Sequence, residues 1–138
     1  MNQNHVTKVI VIRSQPDHKD VWYSELASIL STFGAKIVQT LGYEDELPTD
    51  IDHKTHIIIV DAGMGLERFQ QTIATIKDAF SVWIIGVTNH NDAWETHRIL
   101  IHNGGNDFFP KLYGEALLKA LDTSMSARQI YLLHKKEE

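Results

Sequence analysis

"HIIIVDAGMG", His56 to Gly65, runs four consecutive β-branched residues, Ile57 to Val60, directly into an aspartate and a glycine-rich turn. A strand with no polar alternation is covered on both faces, as in the interior of a parallel sheet. Asp61 therefore stands at the carboxyl end of a buried strand. One role for it there is local: an aspartate after a strand bonds the backbone of the turn that follows, and Gly63 and Gly65 favour such a turn.

Outward from this stretch, "KVIVI", "AKIVQT", "SVWIIGV" and the shorter "DFF" also fit strands, and the first and third of these are again apolar on both faces. Helical spacing lies between them. "KDVWYSELASILSTFG" sets Val21, Leu26, Ile29, Leu30 and Phe33 on one stripe before Gly34 as a stop. "LERFQQTIATIKDAF" repeats the pattern with Leu66, Phe69, Ile73, Ile76 and Phe80, and "NDAWETHRILIHNGG" with Trp94, Ile99 and Leu100. A last helix begins near Tyr113. "LGYEDELPTDIDHKT" is acidic and contains proline, which predicts a loop or a short helix with a solvated acidic run. The alternation of strand and helix predicts an α/β domain, doubly wound around a five-stranded parallel sheet with helices on both faces.

The 138 residues, 43% hydrophobic and 22% charged, fit one domain with a core. A net charge of −5 with 13 scattered basic residues lacks the footprint of a nucleic-acid binder. No apolar run approaches the roughly 20 residues of a membrane span, and "MNQNHVTK" lacks the apolar core of a signal peptide, so the chain is expected in the cytoplasm. The absence of cysteine excludes disulfides, thiolate zinc sites and cysteine nucleophiles. The eight histidines show no paired metal-ligand spacing and read as solvated or packed.

In doubly wound sheets, ligands and chemistry collect at the carboxyl ends of the strands. Asp61 ends the third strand, Thr88 the fourth, and Lys111 follows the fifth. A carboxylate can accept a phosphoryl group when fixed donors and cations meet the charge on its oxygens, and a hydroxyl and an ammonium supply two of these. Each group also has an ordinary role: turn bonding for Asp61, a strand-end hydroxyl for Thr88, a solvated loop lysine for Lys111. Their occurrence in order at three successive strand ends is what argues for a site.

That order and spacing resemble the receiver domains of bacterial response regulators, the CheY-like family with flavodoxin-like topology, over nearly the whole chain. "IIIVDAGMG" resembles the family's phosphoacceptor strand, with Met64 at the usual methionine position and Gly65 where proline is common. "IIGVTN" resembles the strand ending in the threonine, and "NGGNDFFPKL" is similar to the Gly-Ala-Asp-Asp-Tyr-x-x-Lys-Pro segment. The resemblance implies that Asp61 is the phosphoacceptor, Thr88 the phosphoryl-sensing hydroxyl, Lys111 the charge partner and Phe108 the aromatic whose rotation reports the state. It implies a histidine kinase or an output domain as partner and no enzymatic activity; a homodimer is expected instead from the C-terminal helix.

The chain departs from the family where "VIVIRSQ" puts Arg13 and Ser14 in place of the two adjacent carboxylates that hold Mg²⁺. A hard cation needs such ligands, so the metal is not an assured cofactor. Asp17 and Asp20 either reach back toward a metal or cap the following helix. Arg13 either stands in for the metal as the charge partner of Asp61, or turns to solvent, Asp17 or Asp20. Leu112 replaces the usual proline, and Gly86 is expected to interrupt the fourth strand. Two readings follow: a receiver-like module with a degenerate site that acts by protein–protein contact, or a conventional receiver phosphorylated on Asp61 by a histidine kinase. Two other flavodoxin-like classes fit worse. "PDHKDVW" lacks the glycine and spacing of a cobalamin loop, and "RSQPDHKD" offers no backbone cradle for a flavin phosphate.

"EALLKALDTSMSARQIYLLHKKEE" keeps helical spacing at Leu118, Leu121, Met125 and Leu132, a stripe that Arg128 interrupts. We divide the chain accordingly into a receiver-like domain, residues 1–123, and a helical C-terminal extension or linker, residues 124–138. The extension is either a packed helix with a frayed tail or one that dimerises or leads into an output domain.

Overall fold

In the computed structural model, which describes residues 6–63, 65–88 and 93–136, the chain runs β1 (Thr7–Ile12), α1 (Val21–Thr32), β2 (Ala35–Leu41), β3 (His56–Asp61), α2 (Leu66–Ala79), β4 (Trp83–Thr88), α3 (Ala93–His102), β5 (Asp107–Pro110) and α4 (Gly114–Lys136). The five strands form one parallel sheet in the order β2-β1-β3-β4-β5, the flavodoxin-like order. β3 lies at its centre. Every residue of β3 and β4 is buried, as are the last four of β1, which is why these segments show no polar alternation. The edge strand β2 alternates and exposes Lys36 and Val38.

Successive residues of a strand feed opposite faces. Val9, Val11, Ile57, Ile59 and Ile85 pack under α1 and α4, against Trp22, Leu26, Leu30, Leu117 and Leu121. Ile10, Ile12, Ile58, Val60 and Ile84 pack under α2 and α3, against Phe69, Ile73, Ile76 and Leu100. Among the described residues, no helix is long and apolar enough to cross a membrane.

The structure settles the alternative left open between β2 and β3 and differs from the sequence expectations at three further places. Between β2 and β3 there is no helix: loop 42–55 crosses instead and lays Tyr43, Leu47 and Ile51 against the core beside α2. Pro48 removes a backbone donor inside this loop, and side chains fold it, with Asp45 accepting from the Gly42 amide at 2.7 Å and the His56 ring accepting from the Asp52 amide at 3.1 Å.

Gly86 does not interrupt β4; it pairs with Val60 on one side and Phe108 on the other. A Cβ there would meet Phe69 Cζ at 3.0 Å and Leu100 at 3.2 Å, so the missing side chain is the space that lets α2 and α3 close on the sheet. Trp94 does not face the core. Thr96 and Leu100, one turn apart, are the buried face of α3, and that phase leaves Trp94 77% exposed.

Finally, α4 runs unbroken through the boundary placed at residue 123. Its packed face is Leu117, Leu121, Ser124, Arg128 and Tyr131, and Leu118 lies outward of it. Arg128 thus belongs to the buried face and does not interrupt it. Two polar residues on this face are tolerated because each has partners. Ser124 Oγ accepts from Trp83 Nε1 at 3.1 Å, and Arg128 donates to the carbonyls of Lys54 and His53 at 3.0 and 3.3 Å. Burial pulls the Arg128 guanidinium below the usual arginine range, and the charge of Asp52 partly restores it. Tyr131 completes the contact, its ring 5.4 Å from that of Trp83 and its hydroxyl 3.2 Å from Ser81 Oγ.

A chain ended after Thr123 leaves Trp83 Nε1 without its acceptor and strips the Tyr131 ring from that of Trp83. We expect urea unfolding to show a loss of about 3 kcal/mol or more; a midpoint unchanged from the full chain would mean that residues after 123 only append to the domain.

Candidate functional site

The register of the ends of β3, β4 and β5 sets the site. Asp61 pairs with Val87, Thr88 is the next residue of β4, and the amide of Lys111 donates to the Thr88 carbonyl at 2.9 Å. That last bond extends the β4–β5 ladder by one step and fixes the Lys111 backbone beside the end of β4. From there the ammonium of Lys111 reaches Asp61 Oδ2 at 2.6 Å, with side chains only 18% and 5% exposed. The other carboxylate oxygen accepts from the Gly63 amide at 2.9 Å. Asp61 therefore bonds its own turn and pairs with a cation at once, one oxygen for each.

Arg13 is not beside Asp61. Its Nη2 lies 3.1 Å from Asp20 Oδ2 and its Nη1 3.2 Å from the His18 carbonyl, and the guanidinium rests over the Tyr23 ring at 5.5 Å. Of the alternatives open for Arg13, the pairing with Asp20 is the one present, and the pairing with Asp61 is not. The reason is local. Asp20 is the N-cap of α1, accepting from the Tyr23 amide through Oδ1 at 2.9 Å, which leaves Oδ2 turned to the residue that follows β1. Burial pushes the Asp20 carboxyl up, but the Tyr23 amide, the bond from Arg13 and the charges of Arg13 and Lys111 outweigh it and hold the carboxyl below its ordinary value.

The two ion pairs share a wall. Trp22, 1% exposed, has Lys111 Nζ 5.2 Å and the Arg13 guanidinium 6.0 Å from its ring. Both cations thus lie over one indole, within range of a cation–π contribution. Nothing in the sequence separates Trp22 from an ordinary core tryptophan. Phe108 lies on the other face of the sheet, half-buried, its ring stacked on His97 with centroids 5.1 Å apart. Met64 falls outside the described residues.

The donor set does not suit Mg²⁺. A hard octahedral cation wants one or two free carboxylates and several oxygens. Here both oxygens of Asp61 and both of Asp20 are engaged by N–H donors or cations, and the guanidinium of Arg13 follows the end of β1. Among the described residues no cluster of three or more His, Cys, Asp or Glu is placed to hold a metal.

No family model matches the chain, and no curated protein does. Solved structures do. A response regulator from Thermotoga maritima superposes with a TM-score of 0.62 at 16% identity, covering 88% of this chain and 98% of its own. The REC domain of AraT, a response regulator from Geobacillus stearothermophilus, gives 0.62 at 13% identity over 96% of this chain and 99% of its own. The chain has the receiver-domain fold. NtrX from Brucella abortus gives 0.57 at 13% identity, and there 96% of this chain covers 30% of the longer one. Within the receiver fold, Asp61 and Lys111 stand in contact, Thr88 is joined to Lys111 through the backbone, and Arg13 is committed to Asp20.

Two measurements check this geometry. Lys111→Ala with Asp61→Ala, and Arg13→Ala with Asp20→Ala, should each fall short of additivity by about 1 to 3 kcal/mol, whereas Arg13→Ala with Asp61→Ala should add within about 0.5 kcal/mol. The second concerns acid. Because folding lowers the Asp20 pKa, the stability it contributes is fully present above its unfolded value, about pH 4, and is lost as pH falls through the lowered folded value. Asp20→Asn should therefore flatten the acid limb of urea midpoints collected against pH below about 4; an unchanged limb would place the acid sensitivity elsewhere.

Proposed function

We propose that this is a receiver-like signalling module of a bacterial cytoplasmic pathway, without enzymatic activity, that acts through protein–protein contact and whose phosphorylation chemistry is degenerate. The pairing of Arg13 with Asp20 at 3.1 Å, where the family places metal-holding carboxylates, carries this reading. The acceptor carboxylate is already neutralised with no phosphoryl group present, and where the family holds its metal with carboxylates this chain places an arginine committed to Asp20. A crevice with two cations matched to two carboxylates has little charge left with which to draw in a metal and a phosphodonor.

The second reading, a conventional receiver phosphorylated on Asp61 by a histidine kinase, is supported by the neighbouring placement of Asp61, Lys111 and Thr88 at three strand ends. In either case the partners are a kinase or an output domain, with a second copy of the chain as a further candidate. That this chain covers only 30% of the longer NtrX chain supports an output domain.

Intact-mass measurement after incubation with acetyl phosphate, with and without Mg²⁺, separates the readings. The degenerate site predicts no stable gain of a phosphoryl group. A gain that disappears in Asp61→Asn would establish the conventional receiver.

A further inference from the structure

Loop 42–55 connects β2 to β3 without a helix, and the face of α2 turned toward it is only partly covered. A cavity of about 390 Å³ remains between them, within the range of small-molecule sites. Its floor is apolar, formed by Ile12, Leu47 and Ile76, and its α2 wall carries Gln71 and Thr75. The opposite rim is acidic. Glu44 is 3.3 Å from Arg68, the basic residue of the lining, so that charge is already met. Asp45 and Glu46 stay in excess, and among the described residues neither is ion-paired with a cation. The rim is also preformed, since Asp45 is fixed by the Gly42 amide at 2.7 Å.

We propose that this cavity is a binding site for a small organic cation, an amine on an apolar or aromatic body. The body covers the Ile12–Leu47–Ile76 floor, and the ammonium meets the carboxylates of Asp45 and Glu46. The net charge of −5 favours the approach of such a ligand and disfavours an anion. The site goes beyond the signalling reading and does not depend on whether Asp61 is phosphorylated.

Dansylcadaverine, a primary amine on an aromatic body, is a suitable probe, with its neutral N-acetyl derivative as the control. Titrated into the full chain and read by fluorescence anisotropy, the amine should bind saturably and the N-acetyl compound at least about tenfold more weakly. Glu46→Lys should weaken the amine by a similar factor. Thr75→Trp should abolish binding by filling the cavity, with Gln71→Trp as a second filler if the first loses the native circular dichroism. Glu46, Gln71 and Thr75 are all exposed, so these changes leave the core untouched. Equal binding of the two dyes, binding that survives a folded cavity-filling variant, or no binding of the amine up to millimolar concentration would each overturn the proposal.

Discussion

The structure turns on a carboxylate placed at the end of a strand that is covered on both faces. With 5% of its side chain exposed, an ionised Asp61 has lost most of its water and needs compensation in place. The turn supplies one N–H, and the only full charge in contact with Asp61 among the described residues comes from Lys111, fifty positions along the chain. That lysine depends on the position of β5, the shortest strand, which the Asn103–Asn106 turn anchors. Gly105 approaches so closely that a Cβ would lie 2.3 Å from Leu100 Cδ1, and Asn106 bonds both the amide and the carbonyl of Ile84, at 2.8 and 2.9 Å. The segment similar to the family's Gly-Ala-Asp-Asp-Tyr stretch is therefore a device for setting a strand, and the lysine behind it is delivered as a consequence.

A second charge pair answers the burial of Arg13 at the end of β1. A guanidinium at 4% exposure is as costly to leave unpaired as a buried carboxylate. Asp20 meets it while also capping α1, so one side chain starts a helix and neutralises the end of β1. Losing Asp20 would then act through both the helix terminus and the guanidinium. With Lys111 also acting on Asp20 and both cations over Trp22, the two pairs form one electrostatic unit whose charges balance internally.

The fold was legible because its signals are strong and redundant: continuous β-branched runs for the inner strands, helical stripes between them, and a glycine at the end of α1 with positive φ at Gly34. Asp61, Thr88 and Lys111 could be placed because strand ends follow from strand limits. What escaped was side-chain direction. Arg13 follows Val9 and Val11 in the alternation of β1 and so points to the face of α1, where Asp20 waits; the spacing alone did not say which of three nearby carboxylates would take it. Phase failed likewise in α3 and α4, where Thr96, Ser124 and Arg128 occupy buried positions and Trp94 and Leu118 do not. A stripe read from apolar residues cannot anticipate a buried arginine whose partners are two carbonyls of a distant loop.

That arginine also explains how the domain manages without a helix between β2 and β3. Backbone groups that a helix would pair internally must find other partners or water. At the β2 end of the loop, Asp45 takes the Gly42 amide; at the β3 end, the His56 ring takes the Asp52 amide, Asp52 takes that of Lys54, and Arg128 takes the carbonyls of His53 and Lys54. Fixed at both ends, the loop need only drop Leu47 and Ile51 onto the core in between. The buried polar face of α4 and the open cavity beside α2 thus both border the loop that connects β2 to β3. One holds the loop in place, and the other is the volume that the loop leaves unfilled.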